Sequence, residues 1–243
     1  MSHKLKESLN NHFDAYMNME WAEPKYSKTK VDWAGKLLLS KPESNKDKFM
    51  AIEILNNWRA VHIFPLNTFQ LRLRRLSKKL DKRALVVQRL KRTPSILKKL
   101  KRDQTMTMNL SQMQDIGGCR SILPTVALVQ KLCYESYEKG KIKHKLKMKK
   151  DYIKEPKKDG YRSIHLIYKY FSNKKTTYNG KLIEVQIRTK LQHLWATAVE
   201  TVDFFTRQAI KSSEGQKEWM DFFRLVSSIF AIMEKSPIVP NTP

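Results

Sequence analysis

The chain has 243 residues, 48 of them basic and 23 acidic, for a formal net charge of +25. That length suits one α/β domain with helical additions, and so large an excess predicts attraction to polyanions, with nucleic acid or nucleotide favoured over an anionic membrane surface. Cys119 and Cys133 form no C-x-x-C pair, which argues against zinc and for buried free thiols in a reducing compartment.

The first residues, MSHKLKESLNNHF, lack the apolar core of a signal peptide, and Arg224 interrupts the best apolar run, Phe222–Met233. A cytoplasmic protein with no membrane association is therefore expected. Residues 1–65 mix polar helical signals with Trp21, Tyr26, Trp33 and Trp58. Lys25, Lys28, Lys30 and Lys36 surround Trp33, which suits either a helix burying that ring or lysines, Lys28 and Lys30 foremost, that help hold RNA. Ala51–Trp58 has the spacing of a short amphipathic helix. Asn57 to Leu66 reads as a connection, with Pro65 preceding a cap at Asn67 or Thr68.

Leu66, Phe69, Leu73, Leu76 and Leu80 recur at three and four residues, so a helix is expected over Phe69–Leu80. Its other faces carry Arg72, Arg74, Arg75, Lys78, Lys79, Lys82 and Arg83 against Asp81 alone. Like charges at that density repel, and a face selected for solubility alternates its signs. Arg72, Arg75, Lys79 and Lys82 are accordingly candidates for RNA binding. Next comes VVQRLKRTPSILKKLKR, broken at Pro94, which places Ser95 near a helix start where backbone amides point outward. Arg89, Lys91 and Lys99 beside such a terminus suit a triphosphate. The chain has no Walker A loop and no G-x-G-x-x-G, so phosphates must be held by side chains.

Asp115–Leu123, DIGGCRSIL, passes from a helix end into a strand, making Asp115 a helix cap or a metal ligand and Arg120 a phosphate clamp. Val126–Lys139 reads as a helix and Lys139–Lys150 as a lysine-dense connection. In Lys150–His165, KDYIKEPKKDGYRSIH, lysines surround a turn, and β-branched and aromatic residues then indicate a strand over Tyr161–Phe171. In Leu182–Thr189, LIEVQIRT, Ile183, Val185 and Ile187 share one strand face and Glu184, Gln186 and Arg188 the other. Such a polar face either lines a cleft or is simply solvated. A helical stripe follows through Leu191, Leu194, Trp195, Ala198, Val202 and Phe205. A last helix, about 216–234, has an apolar face suited to core packing or to a partner, and the proline-spaced tail is expected to fray.

Four ordered segments, Arg89-Leu-Lys91 with Ser95 and Lys99, Asp115–Arg120, Lys150–His165 and Glu184–Thr189, resemble the synthetase domain of the RelA/SpoT family, pyrophosphotransferases that make ppGpp and pppGpp. The matched region covers nearly half the chain, from about Gln88 to Glu200. The resemblance implies a mixed α/β fold, a nucleotidyltransferase-like β-sheet flanked by N- and C-terminal helices. It divides the chain into a basic helical region (1–85), a synthetase core (86–212) and a C-terminal helix and tail (213–243). It also implies that Arg89, Lys91 and Lys99 hold the phosphates of ATP, the pyrophosphate donor, which Ser95 and Arg120 are placed to join, and that Asp115 binds Mg²⁺. Tyr161 would stack on the acceptor base, with Lys150 and Lys157 on its phosphates and His165, Gln186, Arg188 and His193 around it.

The chemistry of such a transfer needs charge neutralised on the donor and a hydroxyl made nucleophilic. Magnesium takes one or two carboxylates and leaves its other positions to phosphates and water, so Asp115 and Glu184 are the expected metal pair. Glu184 is also the candidate for deprotonating the acceptor, a role that sequence does not separate from metal binding. None of the six histidines precedes an aspartate, so no His-Asp hydrolase is expected, nor is there room for a long regulatory C-terminal region. A synthetase-only protein under tight control, or a toxin with an antitoxin partner, follows. On charge alone the favoured acceptor is the 3′-hydroxyl of the tRNA CCA end, because each phosphate contacted adds counterion-release affinity. GTP or GDP is the alternative acceptor, and a non-catalytic RNA-binding module stands outside both.

Overall fold

The structure is a computed structural model that describes residues 21–40, 44–102, 108–206 and 215–242. Helices α1 (Lys28–Leu39), α2 (Asn45–Ala60) and α3 (Ile63–Leu80) precede strand β1 (Leu85–Leu90) and helix α4 (Thr93–Arg102). Strand β2 (Gly117–Leu123), helix α5 (Val126–Lys131), strands β3 (Lys145–Asp151), β4 (Ile164–Lys169) and β5 (Leu182–Thr189), and helices α6 (Lys190–Thr206) and α7 (Lys217–Met233) complete the described α-helices and strands. The strands form one sheet in the order β1-β2-β5-β4-β3. Only β2 and β5 run parallel; the other neighbours are antiparallel. This is the mixed sheet with flanking helices that the motifs imply.

Alternation in β5 divides the sheet into two faces. Ile183, Val185 and Ile187 are fully buried and join Cys119, Leu166 and Tyr168 in a core closed by Leu66, Phe69 and Leu73 of α3. Glu184, Gln186 and Arg120 point the other way, since Arg120 pairs with Gln186 and Gly118 with Glu184 across the parallel β2–β5 ladder. A second core unites Val31, Ile54, Leu55 and Trp58 with Ile96, Leu100, Leu110 and Ile116. Both cores cross residue 85, so the N-terminal helices pack as part of the same body as the sheet. A smaller cluster of Trp195, Ala196, Val199 and Phe223 joins α6 to α7, with Tyr161 against it.

Several local expectations change. The connection expected over Asn57–Leu66 shrinks to Val61 and His62, because α3 starts at Ile63 and takes Pro65 into its first turn, where a missing N–H costs no hydrogen bond. Trp33 is not the buried side of its helix. It is 40% exposed, while Val31, Ala34 and Gly35 face inward, and a Cβ on Gly35 would lie 2.9 Å from the Leu110 Cβ. The helix over Val126–Lys139 is α only to Lys131 and continues as a π-helical turn, Leu132–Glu138.

Two strands lie where no strand was expected, β1 inside VVQRLKR and β3 inside the lysine-dense segment. Both are edge strands, and the charged residues that obscured their period are those that keep an edge from pairing with another chain. The tail does not fray through residue 242: Val239 is fully buried, its N–H donates to Ser228 Oγ at 3.3 Å, and the Ser228 and Thr242 hydroxyls are 2.7 Å apart. Among the described residues no helix is long and apolar enough to cross a membrane.

Candidate active site

The polar face of the sheet opens into a cleft lined by Val87, Gln88, Arg89, Asp115, Gly118, Cys119, Arg120, Glu184 and Gln186. The two carboxylates, far apart in sequence, thus meet on one wall. Asp115 precedes β2, and Glu184 is carried by the adjacent strand β5, so the parallel β2–β5 pairing brings them together. Val87 and Gln88 were not anticipated. Val87 shares a face with Arg89 at a separation of two, a signal available only once β1 is read as a strand.

Asp115 holds two lysines at once: Lys91 Nζ donates to Oδ2 and Lys99 Nζ to Oδ1, each at 2.9 Å. Burial pushes this carboxyl up, but the two ammonium groups outweigh it and bring it below the usual aspartate value. Lys99 reaches in from α4, whose first turn carries exposed Ser95. Arg89 is exposed on β1 at the cleft rim. The residues expected to grip phosphates therefore lie together, and two of them sit on the expected metal ligand.

Glu184 is clamped at both oxygens. His165 Nδ1 lies 2.8 Å from Oε1, and Gln186 Nε2 donates to Oε2 at 2.8 Å. Burial again pushes the carboxyl up, while the His165 hydrogen bond, with help from Gln186, brings it below the usual glutamate range. Arg120 Nε donates to Gln186 Oε1 at 2.8 Å, and the Tyr161 hydroxyl meets His165 Nε2 at 2.9 Å. Lys157 stands over two rings, with its Nζ 4.8 Å from the Tyr152 centroid and 5.3 Å from that of Tyr161. Tyr152 is a second aromatic residue that the sequence reading passed over. Lys150 is exposed on β3 directly opposite His165.

The loop carrying Lys157 and Tyr161 is seated on α7. Gly160 has φ +95°, and a Cβ there would lie 2.8 Å from the Ser227 Cβ and 3.0 Å from the Trp195 ring, so only glycine fits. Ser227 Oγ donates to the Gly160 carbonyl at 2.6 Å, and Arg162 Nε donates to Ser227 Oγ at 3.0 Å.

Arg188, expected at the acceptor, is a buried member of the cleft floor. It is 2% exposed and hydrogen-bonded through Nη2 to His193 Nδ1, and burial beside Arg120 lowers its pKa to about 10. Its charge also interacts with the Tyr161 hydroxyl. His193, half-buried, is its partner. After Arg188 the chain turns into α6 through a reciprocal cap: Thr189 N donates to Gln192 Oε1 at 3.1 Å, and Gln192 N to Thr189 Oγ1 at 3.2 Å.

The expected RNA-binding residues are dispersed. Arg75, Lys79 and Lys82 are exposed on or just after α3, whose apolar side covers the sheet face opposite the cleft. Arg72 is not free for a ligand, because its Nη2 donates to the Ser136 carbonyl at 3.1 Å and its guanidinium lies 6.0 Å from the Tyr137 centroid. Lys28 and Lys30 are exposed on α1, which belongs to the second core.

With this geometry in view, comparison with known proteins identifies the segment that carries the cleft. Residues 88–204 match the family described as a region found in RelA / SpoT proteins. This segment is a RelA/SpoT region. The GTP pyrophosphokinase YjbM of Bacillus subtilis (strain 168) is 30% identical over 122 residues, 49% of this chain and 56% of the relative, so the match spans little more than half of that protein. In fold, the chain is similar to small alarmone synthetase 1 from Bacillus subtilis, with a TM-score of 0.62 at 21% identity over 74% of this chain and 92% of that one. The structure of that synthetase bound to its product pppGpp gives a TM-score of 0.61 at 21% identity, with the same coverage. The matched region thus contains every cleft-lining residue except Val87.

Cofactor fit can be tested on the cleft itself. Among the described residues no group of three or more His, Cys, Asp or Glu side chains could hold an ion unaided. Two carboxylates beside cations that can take phosphate match the needs of Mg²⁺, which completes its octahedron with substrate oxygens and water. Among the described residues each carboxylate oxygen here has one hydrogen-bond partner, and a carboxylate offers about four lone-pair sites in all, so acceptor capacity is left for an ion.

Proposed function

We propose that this protein is an ATP-dependent pyrophosphotransferase that acts on GTP or GDP, an alarmone synthetase. The observation that carries the reading is the meeting of Asp115 and Glu184 in one cleft with Arg89, Lys91, Lys99 and Arg120 around them. ATP lies along the β1–β2 side, its phosphates held by those four cations and by the first turn of α4 near Ser95. Phosphate oxygens replace Asp115 as partners of Lys91 and Lys99, which frees the carboxylate. Asp115 and Glu184 would then hold Mg²⁺, which supplies neutralisation of the charge on the transferred group.

The acceptor base stacks near Tyr161, and Lys150 and Lys157 meet its phosphates. Base–aromatic stacking is worth about 1–3 kcal/mol. Glu184 takes the proton of the acceptor 3′-hydroxyl, whose oxygen attacks the β-phosphorus of ATP; the bond from the α-phosphate bridge to that phosphorus breaks, and AMP leaves. His165 and Gln186 orient the carboxylate from its two sides.

The tRNA-modifying reading has a specific observation in its favour, the net charge of +25. Placement weighs against it. Arg75 and Lys79 stand across the sheet from the cleft, and Arg72 is engaged within the fold. Neither tRNA nor an antitoxin is needed to account for the cleft. The test is transfer from γ-labelled ATP to GDP, GTP or bulk tRNA supplied separately. Label should appear in the guanine nucleotides. Label in tRNA alone would reverse the choice of acceptor and leave the transfer chemistry intact, and no transfer to any of them would remove the enzymatic reading.

A further inference from the structure

Two side chains flank Glu184, and each can both accept and donate a hydrogen bond. On one side the order is Arg120 Nε to Gln186 Oε1 at 2.8 Å, then Gln186 Nε2 to Glu184 Oε2 at 2.8 Å. A guanidinium only donates and an ionised carboxylate only accepts, so the Gln186 amide has one possible orientation. On the other side His165 Nδ1 meets Glu184 Oε1 at 2.8 Å, and in a neutral ring Nε2 then accepts from the Tyr161 hydroxyl at 2.9 Å. Hydrogen bonds thus converge on Glu184 from Arg120, at the donor end of the cleft, and from Tyr161, at the acceptor end.

From this chain we infer that Gln186 is a positioning residue for Glu184, oriented by Arg120, and not a ligand of the acceptor; the inference rests on the pyrophosphoryl-transfer reading above. Strand geometry puts the three side chains in line: Gln186 follows Glu184 by two residues on one face of β5, and Arg120 is its register partner on β2. The task requires an acceptor toward Arg120 and a donor toward Glu184 on a side chain of this reach. A glutamate at 186 could accept from Arg120 but not donate to Glu184, and a lysine could donate but not accept. With both amide ends engaged inside the cleft wall, Gln186 is oriented before any nucleotide arrives. Arg120, meanwhile, contributes only Nε to the relay and keeps its Nη groups for donor phosphate. ATP bound there holds the guanidinium still, and with it the carboxylate that acts on the acceptor.

The experiment compares Gln186→Met and Gln186→Glu with the unaltered protein, after thermal melts confirm that each variant folds. Binding of fluorescent ATP and GDP analogues and steady-state transfer from γ-labelled ATP are then measured. Expected are a kcat lowered about 10–100-fold in Gln186→Met, a larger loss in Gln186→Glu, and KM and binding constants for both nucleotides changed by no more than about three-fold. An acceptor KM raised about ten-fold or more at unchanged kcat would overturn the inference and restore Gln186 to the acceptor site.

A readout independent of turnover is the side-chain amide of Gln186 followed by NMR. Its two protons should exchange slowly with solvent, and their signals should move in both Glu184→Ala and Arg120→Ala. Amide signals that exchange freely and ignore both substitutions would refute the relay even in an active enzyme. Protected, responsive signals in a protein that transfers to no acceptor would uphold the relay and remove the functional reading instead.

Discussion

Two groups of cations on this molecule look alike in sequence and differ in surroundings. Lys91 and Lys99 have side chains 16% and 31% exposed and share the carboxylate of Asp115, while Arg120 is committed through Nε to Gln186. Arg75 and Lys79 stand exposed on the outer side of α3, with the sheet between them and the cleft. Water and salt screen the second group within a Debye length of about 8 Å at physiological ionic strength, whereas partly buried charges are screened far less. Total charge says that an anion is attracted. Chemistry depends on which cations face the carboxylates.

The sharpest way to break this distinction is to remove the anionic partners. Glu184→Gln should lower transfer by about 10²–10⁴-fold, the range expected for a lost proton acceptor, and Asp115→Asn should do likewise while leaving Lys91 and Lys99 facing a neutral amide. Measurement is by transfer of label from γ-labelled ATP, and activity within ten-fold of the original for Glu184→Gln would defeat the proposed site. Next in size, Lys91→Met and Lys99→Met should each weaken ATP binding by about 10-fold or more, as loss of a charge-assisted hydrogen bond worth about 1.5–3 kcal/mol requires; nucleotide titration reads it.

Paired Arg75→Ala and Lys79→Ala changes on α3 should leave guanine-nucleotide transfer within about two-fold, because solvated charges contribute little at a distance. A large drop specific to tRNA would show instead that the outer face serves an RNA acceptor. The smallest effect concerns a third kind of cation. Lys181 is 8% exposed, with Nζ 3.8 Å from the Trp58 centroid. Burial, and to a lesser degree Lys28, lower its pKa to about 8, although the ring face favours its charged form.

Since the folded value lies below the ordinary lysine value of about 10.4, the unfolded chain binds more protons between the two. This group's contribution therefore rises with pH across that window and is lost as pH falls toward 8. Denaturant melts should show the stability of the original protein gaining on that of Lys181→Met from pH 8 to pH 10, by about 1–3 kcal/mol. A constant difference would contradict the buried placement of the ammonium group against the Trp58 ring.

Legibility in the sequence followed burial. The β5 alternation was readable because one face is fully buried and the other polar, and the α3 stripe because Leu66, Phe69 and Leu73 all face one core. Strands β1 and β3 were not, because an edge strand has little buried side from which a period could emerge. Pro65 misled for a local reason: it ends a helix from within but is welcome in a first turn. Glu184, Asp115 and the cations around them are legible individually, but the hydrogen bonds that Gln186 and His165, expected at the acceptor, make to Glu184 are not.

By itself, then, the sequence determined the mixed α/β class, the RelA/SpoT motifs and the candidate side chains of the cleft, since periodicity and residue type are local properties. Only the tertiary structure decided that Lys91 and Lys99 rest on Asp115, that Arg120 reaches Glu184 through an amide, and that the basic side of α3 lies across the sheet from the cleft. Those are statements about distance between residues remote in the chain, and charge or hydrogen-bonding capacity acts only across the short distances that folding creates.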